Sequence, residues 1–221
     1  MKQHISIIII ILAFAEHLSF SQQHLLGVEG GVTISSINSR EGSIDPKSRT
    51  YYNLGISYEL RTISKYSFKF EIKFKKQGFS HEVYLFSPEG VSLGKYNMID
   101  NYNYLSFPIK VGYSVGNKLL FIPSIGLNPS YLIKAEESRP LYFESGEWLN
   151  IYDRVRHFDI GGIFDLQLSY LITQHLEIKS NLSFSHSFIN SDIDRYASRI
   201  MHKGLLFSLG INYRLHKNNR P

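Results

Sequence analysis

The residue types best suited to chemistry stand together at Ser185-His186-Ser187. A serine hydroxyl becomes a nucleophile when an imidazole within hydrogen-bond reach takes its proton. Adjacent residues of a strand point to opposite faces. On a regular strand His186 therefore cannot serve Ser187: the two serines share one face and His186 takes the other, as an interfacial histidine. The remaining histidines beyond residue 21 (His24, His81, His157, His175, His202 and His216) show no ligand spacing. Asp192-x-Asp194, with Asn190 nearby, lacks the rest of a calcium loop. Gly30-Gly31 and Gly161-Gly162 lead into no helix of the kind that cradles phosphate. No catalytic residue, no metal ligand and no cofactor is expected.

Two other constellations remain. Charges of both signs recur at every second position within apolar stretches. Glu29, Glu59, Arg61, Lys69, Glu71, Lys73, Lys110, Asp165, Glu177, Lys179 and Arg214 are the candidates for an internal charge network, with Lys75 and Asp159 beside them. The segment Lys134–His157 carries Tyr142, Phe143, Trp148 and Tyr152 among mixed charges. Exposed aromatics commonly anchor interfaces, so these four are the candidate loop interaction residues.

The elements that must hold these residues read with period two. Tyr52, Leu54, Ile56, Tyr58 and Leu60 oppose Asn53, Gly55, Ser57, Glu59 and Arg61. Tyr66, Phe68, Phe70, Ile72 and Phe74 oppose Ser67, Lys69, Glu71, Lys73 and Lys75. Leu205, Phe207, Leu209, Ile211, Tyr213 and Leu215 form a third such face. Strict alternation of this composition predicts strands. Leu25–Ile37, Tyr102–Ser114, Lys118–Ile133, Phe158–Ile172 and Leu176–Phe188 read likewise, with Pro108, Pro123 and Pro129 weakening the second and third. That makes eight strands, most of them long enough to cross a bilayer at a tilt, which takes about 9–11 residues.

Short connections fall near Thr62–Lys65, Val115–Asn117 and Thr173-Gln174. Long ones occupy Asn38–Thr50, Lys76–Asn101, Lys134–His157 and Ile189–Lys203. In an up-and-down array all short turns then lie at one end and all long loops at the other, the asymmetry of membrane barrels. A soluble lipocalin-like ligand binder, with the same strands turned inside out, is the competing architecture. Aromatics at strand ends (Tyr52, Tyr58, Tyr66, Phe74, Tyr113, Phe158, Tyr170, Phe188 and Tyr213) fit the girdles of a membrane barrel. Six acids and seven bases on the polar faces could pair in a lumen just wide enough for side chains to fill.

Composition agrees. The 221 residues include no Cys but 15 Tyr and 15 Phe, so disulfides, thiolate sites and a lipid-bearing cysteine are excluded. A mean hydropathy of −0.15 excludes a bundle of membrane helices. The net charge of +5 is spread along the chain, with no nucleic-acid motif behind it. Lys2, the apolar run Ile5–Ala15 and Ser19-Phe20-Ser21 form the three parts of a secretory signal peptide. The expected organisation is a leader over residues 1–21 and a barrel domain over residues 22–221, delivered to the Gram-negative outer membrane.

The order of GVEGGVTISSI (Gly27–Ile37), YYNLGISYEL (Tyr51–Leu60), the strand ending KKQGF (Lys69–Phe79), YNYLSFPIKVGY (Tyr102–Tyr113), FIPSIGLNPSYLI (Phe121–Ile133), FDIGG (Phe158–Gly162) and LGINYRL (Leu209–Leu215) resembles the PorT-like family of small outer-membrane β-barrels. The resemblance implies an all-β, eight-stranded antiparallel transmembrane barrel. It also implies a non-enzymatic role through outer loops or within an envelope or secretion assembly. The partners it implies are the lipid bilayer, the outer-membrane assembly machinery and other envelope proteins. Some small barrels act on lipids, so a lipid-modifying enzyme is the alternative. Family barrels usually end on an aromatic residue, whereas here Tyr213 and Leu215 precede the tail His216–Pro221.

Overall fold

The computed structural model describes residues 22–39, 45–138, 148–190 and 200–215. The leader, Tyr142, Phe143, Asp192, Asp194 and His216 lie outside the described residues. Among the described residues no helix is long and apolar enough to cross a membrane.

Among the described residues eleven strands form one antiparallel sheet: β1 (Gln23–Ser39), β2 (Lys47–Arg61), β3 (Tyr66–Phe86), β4 (Ser92–Ser106), β5 (Ile109–Tyr113), β6 (Val115–Gly116), β7 (Leu119–Ser138), β8 (Trp148–Asn150), β9 (Phe158–Leu171), β10 (Leu176–Ser187) and β11 (Ile200–Arg214). A 3₁₀ turn, Tyr152–Arg154, follows β8. Because β4, β5 and β6 succeed one another along the same path, the wall has eight staves. Each pairs with its sequence neighbour, and β1 pairs with β11 from Leu25↔Arg214 to Ser39↔Ile200, closing the ring. Closure removes the free sheet edges that hydrocarbon could not satisfy.

The eight stretches of alternation coincide with the eight staves, but several staves run further. The connection read as Lys76–Asn101 is mostly strand: β3 continues to Phe86, turns at Ser87–Val91 and returns as β4. Above the bilayer both faces of such a ribbon can be polar, so period two fades while the backbone ladder persists. The prolines act where expected. The Phe107 amide donates to the Pro129 carbonyl at 2.8 Å, and proline has no N–H to return the bond. The ladder breaks there, separating β4 from β5.

The outer wall is apolar and the lumen polar. Val28 is 57% exposed and its neighbour Glu29 2%; Ile56 is 56% exposed and Ser57 4%. The soluble alternative needs the reverse and is excluded. Tyr58, Tyr66, Tyr113, Tyr170 and Tyr213 ring the short-turn end, where Tyr66 meets Tyr113 edge to face and Lys118 lies over Tyr170. Tyr52, Tyr131, Phe158 and Phe188 ring the other end, with Phe74 stacked on Tyr52. Two such belts mark the two water–lipid boundaries.

Polar-inside does not hold along the whole lumen. Ile37, Phe79, Tyr102, Tyr104, Leu132 and Ala135 point inward at the long-loop end and are buried. Leu206, on the face read as polar, is also buried.

Candidate functional site: the lumen and its outer mouth

Inward positions of neighbouring staves bring charges from distant parts of the chain together. Near the short turns, Arg61 on β2 donates through Nε to Glu59 at 2.6 Å and through Nη1 to both oxygens of Glu177 on β10 at 2.9 Å. Arg214 on β11 donates to the same Glu177 at 2.8 Å. Further up, Glu71 meets Lys69 at 2.9 Å, Lys73 at 3.0 Å and Lys110 at 2.8 Å. These three contacts are within ion-pair range but off the hydrogen-bond direction, since neither Glu71 oxygen has a hydrogen-bond partner. Lys110 also donates to Asp165 at 2.9 Å. Glu29 pairs with Lys73, with Lys179 at 2.7 Å and with Lys69 at 3.9 Å.

Neutral groups join the two tiers. Lys69 donates to Gln167 at 2.8 Å, and Gln167 donates to Glu59 at 3.4 Å. Asn181 donates to Glu29 at 3.0 Å, and Lys179 to Ser57 at 2.8 Å. Small residues make room for the long cations. A Cβ on Gly55 would lie 2.5 Å from Cγ of Lys73, and one on Gly27 would lie 2.9 Å from Nζ of Lys179. The arrangement fills the lower lumen with paired charge, in which every base has a carboxylate within reach. Its members come from β1, β2, β3, β5, β9, β10 and β11.

The outer mouth is closed by a different material. Ile151 and Val155, from the segment between β8 and β9, are buried against Ile37, Phe79, Tyr102, Tyr104, Leu132 and Ala135. The Ile151 amide donates to the Ala135 carbonyl at 3.0 Å, and Tyr152 stacks on His157 with ring centroids 4.1 Å apart. Of the loop aromatics, Tyr152 thus packs at the rim, while Trp148 on β8 is 48% exposed. No sequence signal pointed to Ile151 and Val155: isolated apolar residues in a polar loop have no periodicity.

Between network and plug lies a small polar pocket lined by Lys75, Gln77, Asn128, Asp159, Ser185, Ser187 and His202. Ser185 and Ser187 share the inner face and His186 faces outward. A second histidine, His202 on β11, comes onto the inner face beside the serines. It stood outside the alternating stretch at Leu205–Leu215, and only the added length of β11 brings it in. The set has the residue types of a hydrolase, but the Ser187 hydroxyl donates to Asp159, and neither nitrogen of His202 has a hydrogen-bond partner. Among the described residues no serine hydroxyl is bonded to an imidazole, and no group of three His, Asp or Glu is placed for a metal ion.

Beyond the outer aromatic belt, Asp100 on β4 sits opposite Glu137 on β7, with His81 Nδ1 at 3.6 Å. Burial, then the Glu137 carboxylate, pushes the Asp100 carboxyl up to about 7. Burial lowers His81 below the usual imidazole range. Burial thus favours the neutral form of both groups. On the exposed ribbon, Glu82 pairs with Lys47 and Lys95, which hold its carboxyl below the usual range.

A major outer membrane protein from Thermus thermophilus has a similar structure: TM-score 0.57, 8% identity, 88% of this chain and 100% of that one. OprG from Pseudomonas aeruginosa gives TM-score 0.48, 12% identity, 89% and 98%. The outer membrane protease OmpT from Escherichia coli gives TM-score 0.40, 8% identity, 88% and 96%. At these identities the likeness is one of fold alone. No curated protein matches the sequence. Residues 20–192 match the family described as outer membrane protein beta-barrel domain. With a closed ring of eight staves, an apolar outer wall and two aromatic belts, the chain belongs to the outer membrane protein beta-barrel domain family.

Proposed function

We propose that the protein is a non-enzymatic outer-membrane barrel with a sealed lumen, acting through its outer loops or as one component of an envelope or secretion assembly. The observation that carries this reading is the double closure of the lumen. Ion pairs fill its lower part and a folded-in loop segment stoppers its mouth, so neither solute passage nor substrate access is provided for. The resemblance of the motif order to PorT-like barrels supports the same reading. In it, residues 1–21 are the leader removed on export. The assembly machinery inserts the chain, with Tyr213 as an internal aromatic signal. Trp148 and Tyr152, with Tyr142 and Phe143, form the contact surface for a partner.

Crosslinking in intact cells, followed by purification of the barrel, tests this directly. Envelope proteins captured through photoreactive groups at Trp148, and lost when Trp148 is replaced by Ala, are the expected result. Nanosiemens conductance in planar bilayers would refute the sealed lumen. A defined change in lipid A acylation on deleting the gene would refute the non-enzymatic role.

A further inference from the structure

The small pocket between the ion network and the apolar plug holds a buried lysine without an ion pair and a buried histidine without a hydrogen bond. Lys75 is 6% exposed and His202 3%. Every other lumen cation named above (Arg61, Lys69, Lys73, Lys110, Lys179 and Arg214) has a carboxylate within 4.0 Å. Among the described residues, Lys75 has none. The carboxylate nearest in the pocket, Asp159, accepts the Ser187 hydroxyl and stays beyond ion-pair distance of Lys75. His202 is held edge-on by Tyr102, with ring centroids 4.8 Å apart, yet both of its nitrogens are unpartnered. One of the two carries a proton in the neutral ring. Asp159 is the nearest counter-charge but makes no contact pair with the ammonium, and a buried ammonium so weakly compensated is disfavoured; buried polar groups that lack protein partners take water or an ion instead.

We propose that this pocket is a binding site for one small monatomic anion of the halide class, held by the Lys75 ammonium and the N–H of His202. The free volume, about 10 Å³ for the centre of a water-sized guest, is at the lower bound that a single small particle needs. The site balances the positive charge that the network leaves over. It also supplies a partner to groups sealed between a saturated ion lattice and an apolar stopper. Asp159 works against the anion at the pocket wall, so neutralising it as Asp159→Asn raises occupancy.

The test is crystallography of the refolded barrel in bromide, with data collected at the bromine absorption edge. An anomalous peak beside Lys75 and His202 is expected, and water or empty density there overturns the proposal. In solution, the midpoint of heat-modifiable migration is compared in sodium bromide and in sodium gluconate of equal ionic strength. A higher midpoint in bromide, which Asp159→Asn enlarges and Lys75→Met abolishes, is expected. Equal midpoints in the two salts for the unaltered protein overturn it, whether or not the Lys75 variant folds.

Discussion

Arg61 reaches across the lower lumen to hold both carboxylate oxygens of Glu177, 116 positions later in the chain, at 2.9 Å. Removing one partner of a buried pair leaves the other charge uncompensated, at a cost of about 3–5 kcal/mol. Arg61→Ala should therefore lower the urea midpoint of unfolding in lipid vesicles sharply. Replacing both residues by methionine should recover much of the loss. A double variant as unstable as the single one would show that the pair matters through its shape and not its charge.

Gly55 lies opposite Lys73, where a Cβ would come within 2.8 Å of the Ile72 carbonyl oxygen as well as meeting the lysine stem. The obstruction is backbone, so a rotamer change cannot relieve it. Gly55→Val should prevent β2 and β3 from closing and leave little heat-modifiable folded band. An exposed outer-wall change such as Leu54→Val should keep the yield near that of the unaltered protein.

Asp100 makes stability depend on pH. Its folded pKa of about 7 lies above the ordinary carboxylate value. Between about pH 4 and about pH 7 the unfolded chain has lost this proton while the folded barrel keeps it. Folded binds more protons than unfolded, so this group's contribution falls as pH rises through that window and is lowest above it. His81 works the other way: burial lowers its folded pKa below the unfolded value, so its contribution rises with pH up to the ordinary imidazole range and offsets part of the fall. Asp100→Asn should reduce the drop in thermal midpoint between about pH 5 and about pH 8, and should raise stability most at the alkaline end. An unchanged pH profile would place the titration elsewhere.

Ile151 and Val155 anchor the stopper, and the only tryptophan of the chain, Trp148, sits three residues before Ile151 on the same segment. Ile151→Ala should weaken docking of the segment by about 2–5 kcal/mol, and Ile151→Asp should undock it. Limited proteolysis around residues 139–157 and a shift in tryptophan emission would report the release, while the barrel keeps its heat-modifiable migration. Cleavage no faster than in the unaltered protein would mean that the mouth is closed by something else.

The eight staves were legible because the bilayer and a narrow lumen impose opposite demands on successive residues. Tyr52 to Leu60 and Phe68 to Phe74 alternate without exception for that reason. Where the wall leaves the membrane the demand lapses, which is why residues 76–86 read as a loop and are strand. The inward-facing acids and bases could be named from the sequence. Their partners could not, since Lys69 with Gln167 or Lys179 with Ser57 depends on stagger between staves. The apolar mouth was hidden for a related reason: Tyr102 and Tyr104 obey period two but face the other way, because what they pack against is a returning loop and not lipid.

The seam of the barrel joins its first strand to its last, and the ion network spans that seam. Glu29 finds Lys179 and Asn181 only about 150 residues after it has been synthesised, and Glu59 finds Asn212 at a similar remove. Until the final strands arrive, Glu29 lacks Lys179 and Asn181, Arg61 lacks Glu177 and Lys110 lacks Asp165, so the early strands carry only part of their network. The network is complete only when the ring is, so the lattice of charges is a latch on the closed wall.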